Sequence, residues 1–255
     1  MSVNRDAPIG MFDSGAGGVS VLRDAVRLLP RERFLYFGDN GNAPYGTKPR
    51  EVVLALADSA VSGLIERGVK AVVIACNTAT ADAAKELRAR YTIPIIGMEP
   101  ALKPASLMRR SGIVLVLATP GTLRSQKYAA LSAKYGENAF SLPCPGLMEF
   151  VERGDRGSAE LRQFLSGLFT PFCDQTIDAV VLGCTHYVFL KALIRDMLPA
   201  ETAVIDGNEG TVRQLKRMLE ERDLLSGRRE NGGVSISTSG DEHALQLLWE
   251  LYRNG

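Results

Sequence analysis

Val72-Val73-Ile74-Ala75-Cys76-Asn77-Thr78 and Val180-Val181-Leu182-Gly183-Cys184-Thr185-His186 read almost as copies of each other. Each is an apolar, largely β-branched run that stops at a cysteine followed by small polar residues. A run that is apolar at successive positions fits a strand buried on both faces of a parallel sheet. In α/β proteins, chemistry sits just past the carboxyl ends of such strands. The chain therefore offers two cysteines in equivalent positions. Two thiols facing each other across a cleft suit a reaction that needs an acid and a base on opposite sides of one substrate.

From these strands the pattern extends both ways. Residues 8–12 read as a first strand ending at Asp13-Ser14-Gly15-Ala16-Gly17-Gly18, and the helix behind it carries Val21, Leu22, Ala25, Val26 and Leu29 on one face. A strand at 33–37 leads into a polar loop over 40–49, and a helix over 50–67 is closed by Gly68. A helix from about Thr80 and a strand at 93–96 follow. The pattern then restarts with a strand at 113–117 ending at Ala118-Thr119-Pro120-Gly121-Thr122. The separation of Asp13 from Thr119 nearly matches that of Cys76 from Cys184, as a duplicated unit would give. Helices at 147–153 and 160–175, a strand at 203–205, a helix at 211–221, a strand at 234–237 and an amphipathic terminal helix complete the reading. Alternating strands and helices define an α/β fold: two pseudo-symmetric parallel-sheet domains with the active site in the cleft between them.

A chain of 255 residues, 45% hydrophobic, is long enough for two such cores. Thirty Lys and Arg balance 29 Asp and Glu, which leaves no global charge pointing to nucleic acid. No apolar stretch approaches the ~18 residues of a membrane helix, and Met1-Ser2-Val3-Asn4-Arg5-Asp6 has no apolar signal core. A cytoplasmic protein with reduced thiols is expected. The cysteines at 76, 144, 173 and 184 include no Cys-x-x-Cys pair, so no metal site is expected. Cys144, between two prolines, and Cys173, in an apolar helical pattern with Phe169 and Phe172, read as small buried hydrophobes.

Gly15-Ala16-Gly17-Gly18 follows a strand and opens a helix, but a dinucleotide fingerprint would need glycine where Ser20 stands. Two readings remain: backbone N–H groups that hold an anion, or a tight turn that requires glycine. His186, two residues after Cys184, reads as a partner that tunes a thiol or shuttles its proton. His243 lies in the terminal helix and reads as a surface residue. A Cys-His hydrolase would leave the second cysteine idle.

Taken together, Ile9-Gly10-Met11-Phe12-Asp13-Ser14-Gly15, Phe37-Gly38-Asp39, Pro44-Tyr45-Gly46-Thr47-Lys48, Ala75-Cys76-Asn77-Thr78-Ala79, Glu99-Pro100 and Leu182-Gly183-Cys184-Thr185-His186 resemble the glutamate racemases of the cofactor-independent aspartate/glutamate racemase superfamily. The segments run in the family's order over nearly the whole chain. Asn40-Gly41-Asn42-Ala43 lacks the family's usual basic residue, Ala118 stands where glycine is common, and Glu149 replaces a frequent proline.

The resemblance implies that residues 208–255 return to residues 1–97 to form the Cys76 domain, with 98–207 forming the Cys184 domain. It implies that Cys76 handles D-glutamate with help from Asp13, and Cys184 handles L-glutamate with help from His186 and Glu152. Ser14, Asn77, Thr78, Thr119, Thr122 and Thr185 would hold the substrate's charged groups, with loop residues Pro44, Tyr45 and Gly46 and the catalytic Asp13, Cys76, Cys184 and His186 also in contact. No cofactor is implied; a homodimer supplying D-glutamate for peptidoglycan is. A racemase of aspartate or another small acid and a non-catalytic amino-acid-binding protein are the rival readings, since fold alone does not fix function.

Overall fold

The computed structural model describes residues 4–255. Residues 1–3, the start of the segment read as lacking an export signal, lie outside the described residues. Among the described residues nine strands form two sheets, parallel throughout. β1 (Ile9–Asp13), β2 (Phe34–Gly38), β3 (Ala71–Ile74), β4 (Ile95–Gly97) and β9 (Val234–Thr238) make the first, in the order β4-β3-β1-β2-β9. β5 (Ile113–Ala118), β6 (Ala139–Pro143), β7 (Ile177–Leu182) and β8 (Ala203–Asp206) make the second, in the order β6-β5-β7-β8. Read backwards, the second order is β8-β7-β5-β6, which superimposes on β4-β3-β1-β2. The cysteine-bearing strands β3 and β7 hold the same place beside their central strands, β1 and β5. The repeat seen in the sequence is thus a repeat of topology.

Every residue of β1 and β3 is buried, as strands covered by helices on both faces must be. α2 (Arg50–Glu66) and α3 (Asn77–Arg90) cover one face of the first sheet, closing a core of Val53, Ala57, Val61, Leu64, Val72 and Ile74. α1 (Val19–Leu28) lies on the other face with α10 (Asn208–Glu221) and α11 (Glu242–Asn254). The core on this side is continuous with that of the second sheet: Met11, Val21 and Leu22 belong to one apolar cluster with Leu117, Leu182 and Tyr187. Among the described residues no helix is long and apolar enough to cross a membrane.

An ion pair ties the ends of the first sheet's chain together. Lys70, wholly buried, donates to Glu32 Oε2 at 2.5 Å, to the Arg5 carbonyl at 2.6 Å and to the Leu224 carbonyl at 2.8 Å. Glu32 Oε1 accepts from Ser226 N–H at 2.8 Å. Three donors meet three acceptors, which is what a buried ammonium requires.

The structure differs from the sequence reading at several elements. The helix over 160–175 is Ala159–Phe169 followed by a 3-10 turn, Thr170–Phe172, because Pro171 cannot continue the ladder. That turn points Cys173 outward, so it is exposed and not a buried hydrophobe. Cys144 is buried as read, its thiol donating to the Leu142 carbonyl at 3.2 Å, and His243 is exposed. β6 and α4 (Leu102–Met108) escaped the sequence reading. β6 is a half-exposed edge strand without an apolar run, and α4 is two turns long.

Candidate active site

Each thiol sits where its strand hands over to a helix. Cys76 caps α3, its Sγ accepting from Ala79 N–H at 3.3 Å. Cys184 opens a 3-10 turn, Thr185–Leu190. The two thiols are only 6% and 7% exposed, and both line one small, nearly closed cavity between the sheets. No Lys or Arg is among the described residues that line it. Apart from the thiols and His186, the polar side chains of the wall are hydroxyls and one amide. Thr78 Oγ1 lies 2.9 Å from Thr119 Oγ1 and 3.2 Å from Thr122 Oγ1, and Thr119 donates to Thr122 at 3.0 Å. Asn77, in the first turn of α3, is 5% exposed, and neither amide atom has a hydrogen-bond partner among the described residues. An orphaned amide costs about 1–3 kcal/mol, and this one faces the space that a ligand would fill.

The thiols are supported differently. Ser14 Oγ lies 3.3 Å from Cys76 Sγ and 3.4 Å from Asp13 Oδ1. Asp13, wholly buried, also accepts from Gly15 N–H at 2.7 Å and from Thr185 Oγ1 at 3.0 Å. Burial lifts its carboxyl above the usual range, though the charge of His186 and these donors work against the rise. Burial and then the negative Asp13 push the Cys76 thiol up to about 12. The Cys76 thiol therefore holds its proton.

On the other side, His186 Nδ1 lies 3.7 Å from Cys184 Sγ, and Nε2 lies 2.6 Å from Glu152 Oε1. Burial opposes a charged imidazole, but hydrogen bonds to Cys184 and Glu152, with their negative charge, outweigh it and hold His186 well above its ordinary value. Burial likewise opposes a charged Glu152, and His186, Ala16 N–H and Asn40 outweigh it, so its carboxyl titrates below the usual range. Cys184 thus has an imidazole partner whose charged form this setting favours, and Cys76 has none.

The glycine-rich turn serves this second arrangement. Ala16 N–H donates to Glu152 Oε1 at 2.8 Å, so the anion held at this turn is a carboxylate from the other sheet's layer. A Cβ at Gly15 would lie 2.4 Å from Glu152 Oε1, and one at Gly17 would lie 2.4 Å from both His186 Nδ1 and Thr185 Oγ1. The glycines are there so that His186 and Glu152 can approach. Glu152 is delivered by α7 (Leu147–Glu152), which starts after Gly146 at φ 89°, a left-handed turn suited to glycine.

Of the residues expected from the sequence, Ser14, Tyr45, Gly46, Cys76, Asn77, Thr78, Thr119, Thr122, Cys184, Thr185 and His186 all line the cavity. Asp13 and Glu152 stand behind the thiol and the imidazole. Pro44 is not on the wall; it precedes the turn Tyr45–Thr47 that presents Tyr45, whose hydroxyl donates to Asp39 Oδ2 at 2.6 Å. The sequence reading missed Met148 on the wall, Tyr36, which donates to the Gly15 carbonyl at 2.9 Å, and Asn40, which donates to Glu152 Oε2 at 3.1 Å. Only the position of Asn40, two residues beyond a strand's carboxyl end, hinted at it.

Residues 18–215 match the Asp/Glu/Hydantoin racemase family, and the chain belongs to that family. It is an isomerase by class. Its relatives carry a narrower name. The chain is 47% identical over 251 residues to the glutamate racemase of Clostridium perfringens (strain ATCC 13124), covering 97% of this chain and 96% of that one. Among solved structures, a glutamate racemase from Bacillus anthracis matches with a TM-score of 0.88 at 30% identity, over 99% of this chain and 96% of that chain. The glutamate racemase of Francisella tularensis, solved in complex with D-glutamate, matches with a TM-score of 0.84 at 30% identity, over 98% of this chain and 95% of that chain.

Proposed function

We propose that this racemase interconverts L- and D-glutamate without a cofactor, using Cys184 and Cys76 as the two proton-transfer groups. The observation that carries the reading is the pair of thiols at equivalent strand ends on one cavity, each with its own proton partner. In the L-to-D direction Cys184, as thiolate, takes the Cα proton from one face. The Cys76 thiol then gives its proton to the opposite face, which leaves Cys184 as thiol and Cys76 as thiolate. That is the form required for D-glutamate. His186 and Glu152 balance the charge at Cys184, and Ser14 and Asp13 are the route by which Cys76 regains a proton.

With no electron sink, the carbanion-like state needs fixed dipoles aimed at the substrate's carboxylate. The N-terminus of α3, the Asn77 amide and the threonine hydroxyls supply them. Neutral donors hold an anion without the strong charge that would trap product. The relatives named above support glutamate as substrate, and a bacterial use of the product, D-glutamate for peptidoglycan, follows from that choice. The test is turnover of D- and L-glutamate beside D- and L-aspartate, followed by circular dichroism with no added cofactor. Racemisation of glutamate is expected. Inversion of aspartate alone would overturn the substrate, and no inversion of any of the four would overturn the activity.

A further inference from the structure

Asn40 opens the 3-10 turn Asn40–Asn42 behind β2 and is half-buried. Its Nδ2 donates to Glu152 Oε2 at 3.1 Å, and its Oδ1 accepts from Thr238 Oγ1 at 2.9 Å. The orientation of the amide is enforced. Thr238 Oγ1 already accepts from Gly240 N–H at 2.9 Å, so its proton is free to point at Asn40. The amide oxygen is thereby fixed on the threonine and the NH2 on the carboxylate. The space is built for this side chain: a Cβ at Gly38 would lie 2.7 Å from Asn40 Oδ1, and one at Gly240 3.0 Å from Asn40 Cβ.

Glu152 Oε2 is held by Asn40 while Oε1 is shared by His186 Nε2 and Ala16 N–H. We propose that Asn40 is a positioning residue for the Cys184 half of the reaction. It pins the outer oxygen of Glu152, so the inner oxygen stays on the imidazole that faces the thiol. The chain Thr238–Asn40–Glu152–His186–Cys184 runs from the edge strand of the first sheet into the second. A thiol at one domain's strand end is thus oriented through a loop of the other domain, and the orientation exists only while the two are docked. This inference rests on the reading of Cys184 as a proton-transfer group.

Two variants test it. Asn40→Ala removes the donor and is expected to lower kcat/KM on the order of tenfold, the worth of one charge-assisted hydrogen bond. Asn40→Asp keeps the shape and places a carboxyl against Glu152. The groups facing that carboxyl and its partner are Glu152, His186, Asp13 and the Tyr36 and Thr238 hydroxyls. While the carboxyl pair shares one proton, the new carboxyl donates to Glu152 as the amide does; when both ionise they repel. The activity of Asn40→Asp relative to wild type is therefore expected to fall as pH rises. A ratio that is flat with pH, or wild-type kcat/KM in Asn40→Ala, would overturn the positioning role. Thr238→Val, which frees the amide to flip and also removes the acceptor of Gly240 N–H, should show a smaller loss in the same direction that Thr238→Ser does not share, and wild-type kcat/KM in Thr238→Val would overturn the enforced orientation. Cys184→Ala is measured alongside. Its inactivity keeps the two-thiol reading whatever the Asn40 variants do, and its retained racemisation would overturn that reading and this inference together.

Discussion

Thr185 Oγ1 donates to Asp13 Oδ2 at 3.0 Å, so the residue beside one thiol is bonded to the carboxylate beside the other. The two half-sites are not independent acids and bases on separate walls. Moving one sheet's layer away from the other would take a donor from the most deeply buried carboxyl of the site, and that ties catalytic geometry to closure of the cleft.

Replacing either thiol tests the division of labour. Cys76→Ala and Cys184→Ala are each expected to fold and to lose about 10²–10⁴-fold in racemisation, the usual range for a general acid or base. In deuterated water the wild-type product should carry deuterium at Cα, because a thiol exchanges its proton with solvent. Wild-type rates in both directions for either variant would end the two-thiol reading.

Asp13→Asn trades activity for stability. The carboxyl is lifted by burial in the folded state. It therefore contributes most to stability below its unfolded value of about 3.9, and the contribution is lost as pH rises through the folded one. The amide has no such charge to bury. The melting temperature of the variant relative to wild type should rise as pH rises from about 3.9 through the raised folded value and then level off, and turnover should fall about 10²-fold.

The Glu152–His186 pair has the opposite pH signature at its acid end. Glu152, lowered by folding, contributes stability above its unfolded value near 4.3 and loses it as pH falls through the folded value. His186, raised by folding, contributes fully below about 6.5 and loses it as pH rises through its elevated value. Both terms are in force at about pH 5–6. Glu152→Gln should cost about 3 kcal/mol in urea unfolding there, with a smaller difference at high pH.

A methyl group at Gly17 tests the close approach. Gly17→Ala puts a Cβ 2.4 Å from Thr185 Oγ1 and His186 Nδ1 and 2.6 Å from the His186 backbone nitrogen, which cannot swing aside. A loss of about 1–3 kcal/mol in stability and of most turnover is expected. Gly63→Ala is the contrast. It lies inside α2 with nothing within 4 Å of its added Cβ, and should gain roughly 0.5–1 kcal/mol with activity intact.

Lys70→Met leaves Glu32 buried without its cation. Breaking a buried pair costs about 3–5 kcal/mol, read as a shift in the denaturation midpoint.

The sheets were legible because the strands beside their central ones carry solid apolar runs, residues 71–75 and 179–182, flanked by helical patterns. The edge was not. Ala139-Phe140-Ser141-Leu142-Pro143 is half-exposed and carries little apolar pattern, so only its pairing with β5 makes it a strand. The cysteines announced themselves by position. The residues that orient their partners did not, because Ala16 acts through a backbone N–H, and Asn40 and Glu152 meet across 112 positions of sequence. The glycine turn was ambiguous for the same reason: what a glycine makes room for lies on another part of the chain.

The place of β9 bears on how the molecule is made. The four strands of the second sheet follow one another along the chain, whereas β9 reaches back past all of them to pair with β2. During synthesis the Cys184 layer can close on itself while the first sheet still lacks its outer strand, and pairing across so long a loop is slow. Thr238 and Ser239, at the end of β9, are the residues that hold Asn40 and Asp39. Both thiols leave the ribosome well before the strand that aligns the machinery around them, so the nascent chain carries its reactive groups for some time before it has an assembled site.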